Sequence, residues 1–194
     1  MKLSAIFLLG TLLLTVNLLQ AQNTYSLSTY AVTIDGTSNL HSWNEKVEQV
    51  SGKGLINWNA GKGFTLQSFN IVMEVNSIKS DEGSTMNNKT YKALKSDQYP
   101  QISFSLLEPV AAIPLLANGY STAAKGKITI AGVTKSVNMP IKISEDVNKK
   151  ISIEGIQVVK MTDYGVDPPT ALFGMLKTGD AITISFKTVF LLTN

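Results

Sequence analysis

The sequence predicts an all-β domain, an up-and-down antiparallel barrel of eight strands. Three observations carry this. Apolar and polar residues alternate with period two through most of the chain, the alternating runs are long, and the segments that join them are short and hairpin-like. Alternation places one class of side chain on each sheet face. Long strands in sequence-adjacent hairpins favour closure, which removes unpaired edges.

The elements follow in order. Met1-Lys2 is a basic start, Leu3 to Leu19 is mostly apolar and uncharged, and Ala21 is a small residue suited to cleavage. This reads as a secretory signal over 1–21, ahead of one domain over 22–194, and predicts export to the periplasm or the exterior. The apolar stretch also approaches the ~20 residues of a membrane anchor. Ser4, Thr11, Thr15 and Asn17 dilute it, however, and Gln20-Ala21-Gln22 ends it without a lysine.

Strands are expected near 25–35, 47–58, 64–78, 101–109, 121–131, 135–146, 150–162 and 181–192. The clearest alternations are Ile102, Phe104, Leu106; Val137, Met139, Ile141, Ile143; and Ile182, Ile184, Phe186. Two runs change phase. Phe64 and Leu66 give way to Phe69, Ile71, Met73 and Val75, while Ile151 and Ile153 give way to Ile156 and Val158, with Gly155 at the step. A slip of one residue is what a bulge produces. Hairpin connectors are expected at 59–63, 131–133 and 148–150.

Two stretches break the alternation. Met86, Thr90 and Leu94 are spaced by four, after Asp81-Glu82-Gly83 and among Lys89, Lys92 and Lys95. That predicts a short helix over about 84–95, with acids at its start and lysines toward its end, and with Met86, Thr90 and Leu94 closing one side of the barrel. Pro168-Pro169 opens a turn or short helix over about 168–174.

Composition removes several functions. The 194 residues hold no Cys, no Arg and one His, with a net charge of +3 that falls by one if Lys2 leaves with the leader. Disulfides, thiolate metal sites and Cys nucleophiles are excluded. One His is too few for most zinc sites. Nucleic-acid binding loses its preferred tool with Arg absent. His41-Ser42 are neighbours without a nucleophile elbow, and the carboxylate pairs Glu45/Glu48, Asp81/Glu82 and Glu145/Asp146 read as solvated charges. No enzyme activity, cofactor or metal is expected. His41 and Trp43 lie together between the first two strands, either packed at a barrel end with their N–H groups satisfied or lining a cavity mouth that binds a polar head group.

A family resemblance rests on Asn39-Leu40-His41-Ser42-Trp43, on Gly52-Lys53-Gly54, on the block from Met86 to Ser96, and on Tyr99-Pro100-Gln101-Ile102-Ser103-Phe104. It continues through Gly126 to Lys135, Asp163-Tyr164-Gly165-Val166 and Gly179-Asp180-Ala181-Ile182-Thr183-Ile184. In their order and spacing these resemble the YceI-like family of exported, lipocalin-like proteins that bind polyisoprenoid lipids. The resemblance implies an extended eight-stranded barrel with an apolar pore for a polyisoprenoid tail such as that of an isoprenoid quinone. It also implies transient membrane contact. Alternation puts Ile71, Met73, Ile102, Phe104, Leu106, Ile128, Ile130, Met139, Ile141, Ile184 and Phe186 inside, with Leu94 on the helix. Periodicity fits a packed core as well as a pore. If the interior is a pore, these twelve line it, with His41 and Trp43 at its mouth. The competing reading is an exported interaction module with a packed core, recognising a protein or glycan through its loops. The apolar, proline-containing stretch from Glu108 to Asn118 has no fixed place in the family pattern.

Overall fold

The computed structural model describes residues 23–59, 63–111 and 120–193. The alternating segments form β1 (Asn23–Ser38), β2 (Ser42–Val47), β3 (Val50–Asn59), β4 (Gly63–Glu74), β5 (Ile78–Ser80) and β6 (Gln101–Leu106). They continue as β7 (Val110–Ala111), β8 (Tyr120–Ile130), β9 (Val133–Glu145), β10 (Ile151–Lys160), β11 (Thr170–Ala171) and β12 (Leu176–Thr193). One helix, α1 (Ser84–Ala93), and three isolated 3-10 turns complete the described elements.

Hydrogen bonding runs β1–β3–β4–β6–β8–β9–β10–β12 and returns from β12 to β1, so the sheet closes as an eight-stranded antiparallel barrel. The β2 and β5 strands extend β3 and β4: β2 pairs with the C-terminal half of β1, and β5 pairs with β2. The stave expected as one strand over 47–58 is therefore longer and broken at Glu48-Gln49, and its neighbour is broken at Val75–Ser77. The two breaks face each other. The buried Ser77 hydroxyl accepts from the Gln49 N–H at 2.9 Å and donates to the Glu74 carbonyl at 2.7 Å. It thereby replaces ladder bonds lost at the corner.

One of the two expected phase slips is present. The β3–β4 register shifts between Leu55 and Ile56, which pair with Ser68 and Leu66, so Gln67 is the extra residue and Leu66 and Phe69 both face inward. The second is absent, which corrects the reading of Gly155 as a bulge. The β10–β12 register runs unbroken from Ile151↔Phe190 to Lys160↔Ala181. Ile156 and Val158 consequently lie outside, at 56% and 58% exposure, while Gln157 and Val159 continue the inner face from Ile153. The hairpin at 131–133 is a two-residue turn, with Ala131 and Gly132 both at positive φ.

The two ends of the barrel differ. Toward the start of β1 and the end of β12, Tyr25, Ile56, Leu66, Ile143, Ile151 and Phe190 are almost fully buried. Phe69 packs on Phe190 with ring centroids 4.9 Å apart and on Phe104 at 6.5 Å. This is a packed plug. At the other end sits α1, whose Tyr91 hydroxyl lies 2.8 Å from the Ile78 carbonyl and receives the Lys79 ammonium at 2.7 Å. The acids precede the helix as expected: Asp81 meets Lys46 at 3.4 Å, Glu82 lies 3.7 Å from His41, and the helix starts after Gly83. The second helical element contracts to a single 3-10 turn at Leu172–Gly174, preceded by β11, with Pro168 and Pro169 in irregular backbone. The leader over 1–21, the connector residues 60–62 and most of the 108–118 stretch lie outside the described residues.

Candidate functional site

Between the aromatic plug and α1 the barrel encloses two apolar cavities of about 70 Å³ each. They meet at Ile184, which lines both. Strand alternation supplies the walls, because every second residue of each stave points inward. The plug-side cavity is lined by Ile71, Met73, Phe104, Leu106, Ile128, Met139, Ile141, Ile184 and Phe186 among the residues expected inside. The helix-side cavity takes Leu94, Ile102, Ile130 and again Ile184. Met86 and Thr90 line it too, so the helix face read from the sequence closes this end.

His41 and Trp43 part company. Trp43, on β2, turns inward and lines the helix-side cavity, and its indole N–H donates to the Thr37 carbonyl at 3.1 Å. Its ring lies over Gly36, where a Cβ would stand 2.1 Å from the indole. His41 lines neither cavity. Its Nδ1 is 2.8 Å from the Ser42 carbonyl, and its Nε2 faces Glu82 on the outside.

Two inward polar residues were not legible as such. Glu45, read from the sequence as a solvated acid, is 2% exposed and lines the helix-side cavity. Thr90 Oγ1 donates to its Oε1 at 2.6 Å. Desolvation by burial holds its carboxyl above the ordinary range; the Thr90 hydrogen bond opposes that rise and the charge of Glu82 adds to it. The signal was available, because Trp43, Glu45 and Val47 stand at period two, but the expected strand began only at 47. Gln157 lines the plug-side cavity opposite Ile184. Its amide N–H donates to the Val158 carbonyl at 2.8 Å, whereas its buried Oε1 finds no partner among the described residues. Thr188, on the same wall, is satisfied by donating to the Ile153 carbonyl at 2.8 Å.

Outside the helix-side end, three large apolar side chains project into solvent: Leu40 at 71% exposure, Met175 at 70% and Phe173 fully. Asn39 clamps their two loops together. Its N–H donates to the Lys177 carbonyl at 3.1 Å, its side-chain amide donates to the Met175 carbonyl at 2.7 Å, and its Oδ1 accepts from the Lys177 N–H at 3.0 Å. Phe173 sits in the left-handed region, at φ 56° and ψ 35°, which is unfavourable for a bulky side chain.

Comparison with known proteins places this geometry. The model of the YceI-like domain matches residues 21–190. Among solved structures, a polyisoprenoid-binding domain from Saccharophagus degradans implicated in plant cell wall breakdown superposes with a TM-score of 0.66. That match covers 89% of this chain and 99% of the other at 12% identity. Burkholderia cenocepacia BcnA gives 0.58 over 82% and 95% at 20% identity. A Campylobacter jejuni YceI protein gives 0.54 over 77% and 84% at 18% identity. At these identities the likeness is one of fold. No curated protein matches the sequence significantly.

Proposed function

This chain belongs to the YceI-like family, and from that premise we propose that it binds a polyisoprenoid lipid in its barrel without catalysis, to store or carry it. The observation that carries the reading is unfilled apolar space between the plug and α1, lined by side chains from the staves and the helix. Unfilled apolar space forgoes dispersion contacts. By large-to-small mutational data, two cavities of about 70 Å³ cost roughly 2 kcal/mol each. Apolar cavities stay dry and accept apolar guests. A guest restores those contacts, and burial contributes ~0.8 kcal/mol gross per methylene of tail. The Saccharophagus degradans domain of the same fold is described as polyisoprenoid-binding.

Export over a cleaved leader and transient membrane contact complete the proposal. The lipid partitions into bilayers, and the exposed Leu40, Phe173 and Met175 stand at the end of the barrel that holds the helix-side cavity. Extraction of gently purified protein from a polyisoprenoid-making host, followed by mass spectrometry, tests the reading, with Phe104→Asn as its partner. An amide in that wall finds no hydrogen-bond partner along a hydrocarbon tail, so bound lipid per protein falls. Lipid-free wild type would overturn the proposal in favour of an interaction module.

A further inference from the structure

Resting on that reading, we propose that Glu45 and Thr90 form a head-group site for an isoprenoid alcohol, with the ligand's hydroxyl on the Glu45 carboxyl and its tail passing Ile184 toward Phe104. Four observations build the site. Period-two alternation on β2 turns Glu45 inward, between Trp43 and Val47. The residue is 2% exposed, yet it lines the helix-side cavity among Trp43, Met86, Leu94 and Ile130. Thr90 occupies one acceptor position, at 2.6 Å, of the roughly four that a carboxylate offers. No lysine lies within ion-pair distance of Glu45 among the described residues.

A buried carboxylate with open acceptor positions demands a donor. The side chains around it do not supply a second one, since the Trp43 N–H is committed to the Thr37 carbonyl. An entering molecule must therefore bring it. An ammonium head adds a second buried ion, whose desolvation the pair must offset. An oxidised quinone brings only carbonyl acceptors, which face the carboxylate with like polarity. A hydroxyl brings a donor without a second charge, and it fills one of the open positions. The polarity of the barrel also sets the direction. The carboxyl lies at the α1 end, and the aromatic plug lies at the other. Gln157 Oε1, one of three buried side-chain oxygens without a partner among the described residues, is a neutral amide opposite Ile184, where the two cavities meet, and makes a weaker claim on the head group.

The test compares geranylgeraniol, its methyl ether and a short-chain quinone by displacement of a fluorescent apolar dye, in mildly alkaline buffer, which favours the ionised carboxyl. Wild type is expected to hold the alcohol roughly ten-fold or more tightly than the ether. Glu45→Leu is expected to erase that ratio, and Glu45→Gln, whose amide oxygen still accepts, to keep part of it. The ratio is internal to each protein, so a loss of stability that weakens both ligands alike leaves the comparison intact. Equal affinity of wild type for alcohol and ether, tighter binding of the quinone, or an undiminished ratio in Glu45→Leu would overturn the head-group site while leaving the lipid-binding barrel standing. Failure of all three ligands to bind wild type would overturn both.

Discussion

Gly155 on β10 lies directly opposite Phe186 on β12, and the phenyl ring occupies the space of the missing side chain: a Cβ at 155 would stand 2.6 Å from Phe186 Cζ. The same filling of a glycine's space recurs around the barrel, from a directly paired ring or a diagonal one. Gly36 takes the Trp43 ring, and Gly126 takes Phe104. Each inward glycine lets an aromatic from a neighbouring stave lie flat across the wall, which keeps the barrel closed while its centre stays open. Gly155→Ala should therefore destabilise the fold by about 1–3 kcal/mol through overpacking. Phe186→Leu should restore only part of this, because the new methyl would also stand 2.6 Å from the Pro140 carbonyl oxygen. Urea denaturation of the two single variants and the double variant checks the coupling, and additive losses would show that ring and glycine are independent.

Glu45 gives the stability a pH dependence. Its folded-state pKa lies above the ordinary value of 4.5, because burial penalises the charged form. The folded protein therefore binds this proton more tightly than the unfolded chain does. The group's contribution is full below about 4.5 and is lost as pH rises through the raised folded value. Glu45→Gln keeps an acceptor for the Thr90 hydroxyl and removes the proton. It should flatten the decline, and denaturation midpoints measured from mildly acidic to mildly alkaline pH, compared between wild type and variant, check this. Asp180 works in the opposite sense. The Thr162 N–H at 2.9 Å, and then the Thr162 hydroxyl at 2.8 Å, hold its carboxyl below the usual range. Its contribution is present above the unfolded pKa and is lost as pH falls through the folded one.

How much of this was legible in the sequence depended on whether a residue's chemistry agreed with its place. Ile102, Phe104, Ile128, Met139 and Ile184 are apolar, alternate cleanly and line the interior, as the period predicts. Met86, Thr90 and Leu94 read as one helix face and form one. The failures fall where hydrophobicity and position disagree. Ile156 and Val158 are apolar but outside, and they drew the inner face away from Gln157; the unbroken parity of Ile151, Ile153 and Val159 was the better guide. Glu45 is charged but inside, and a hydrophobicity rule sends it to solvent. The two apolar residues out of place and the two polar residues out of place cannot be corrected from composition, because register, which fixes the face, is set by strand pairing.

Gln157 supplies a test that is independent of any ligand. Its Oε1 is buried without a partner among the described residues, and an unmet buried acceptor costs about 1–3 kcal/mol. Gln157→Leu keeps similar bulk and removes the unmet group, so it should raise stability by about 1 kcal/mol after loss of the bond to the Val158 carbonyl. Thermal melting of the ligand-free protein checks this. A lower melting temperature would mean that the amide oxygen is satisfied in solution.

If the tip meets the membrane as proposed, Phe173 trades stability for that contact. It is fully exposed and holds a left-handed backbone conformation, at φ 56°, that glycine adopts without penalty. The position therefore loses on both counts as a purely structural residue, since it exposes an aromatic ring and strains its own backbone. The clamp by Asn39 keeps the loop where it is, alongside Leu40 and Met175. Phe173→Gly should relieve the strain and raise stability by up to about 1 kcal/mol. In co-sedimentation with lipid vesicles the same substitution, combined with Leu40→Ser, should reduce the bound fraction several-fold, because it removes apolar area that would enter the interface. The two readouts moving in opposite directions would identify the tip as a membrane contact. If vesicle binding were unchanged while stability rose, the tip would have no part in it, and lipid exchange would have to run through another part of the barrel.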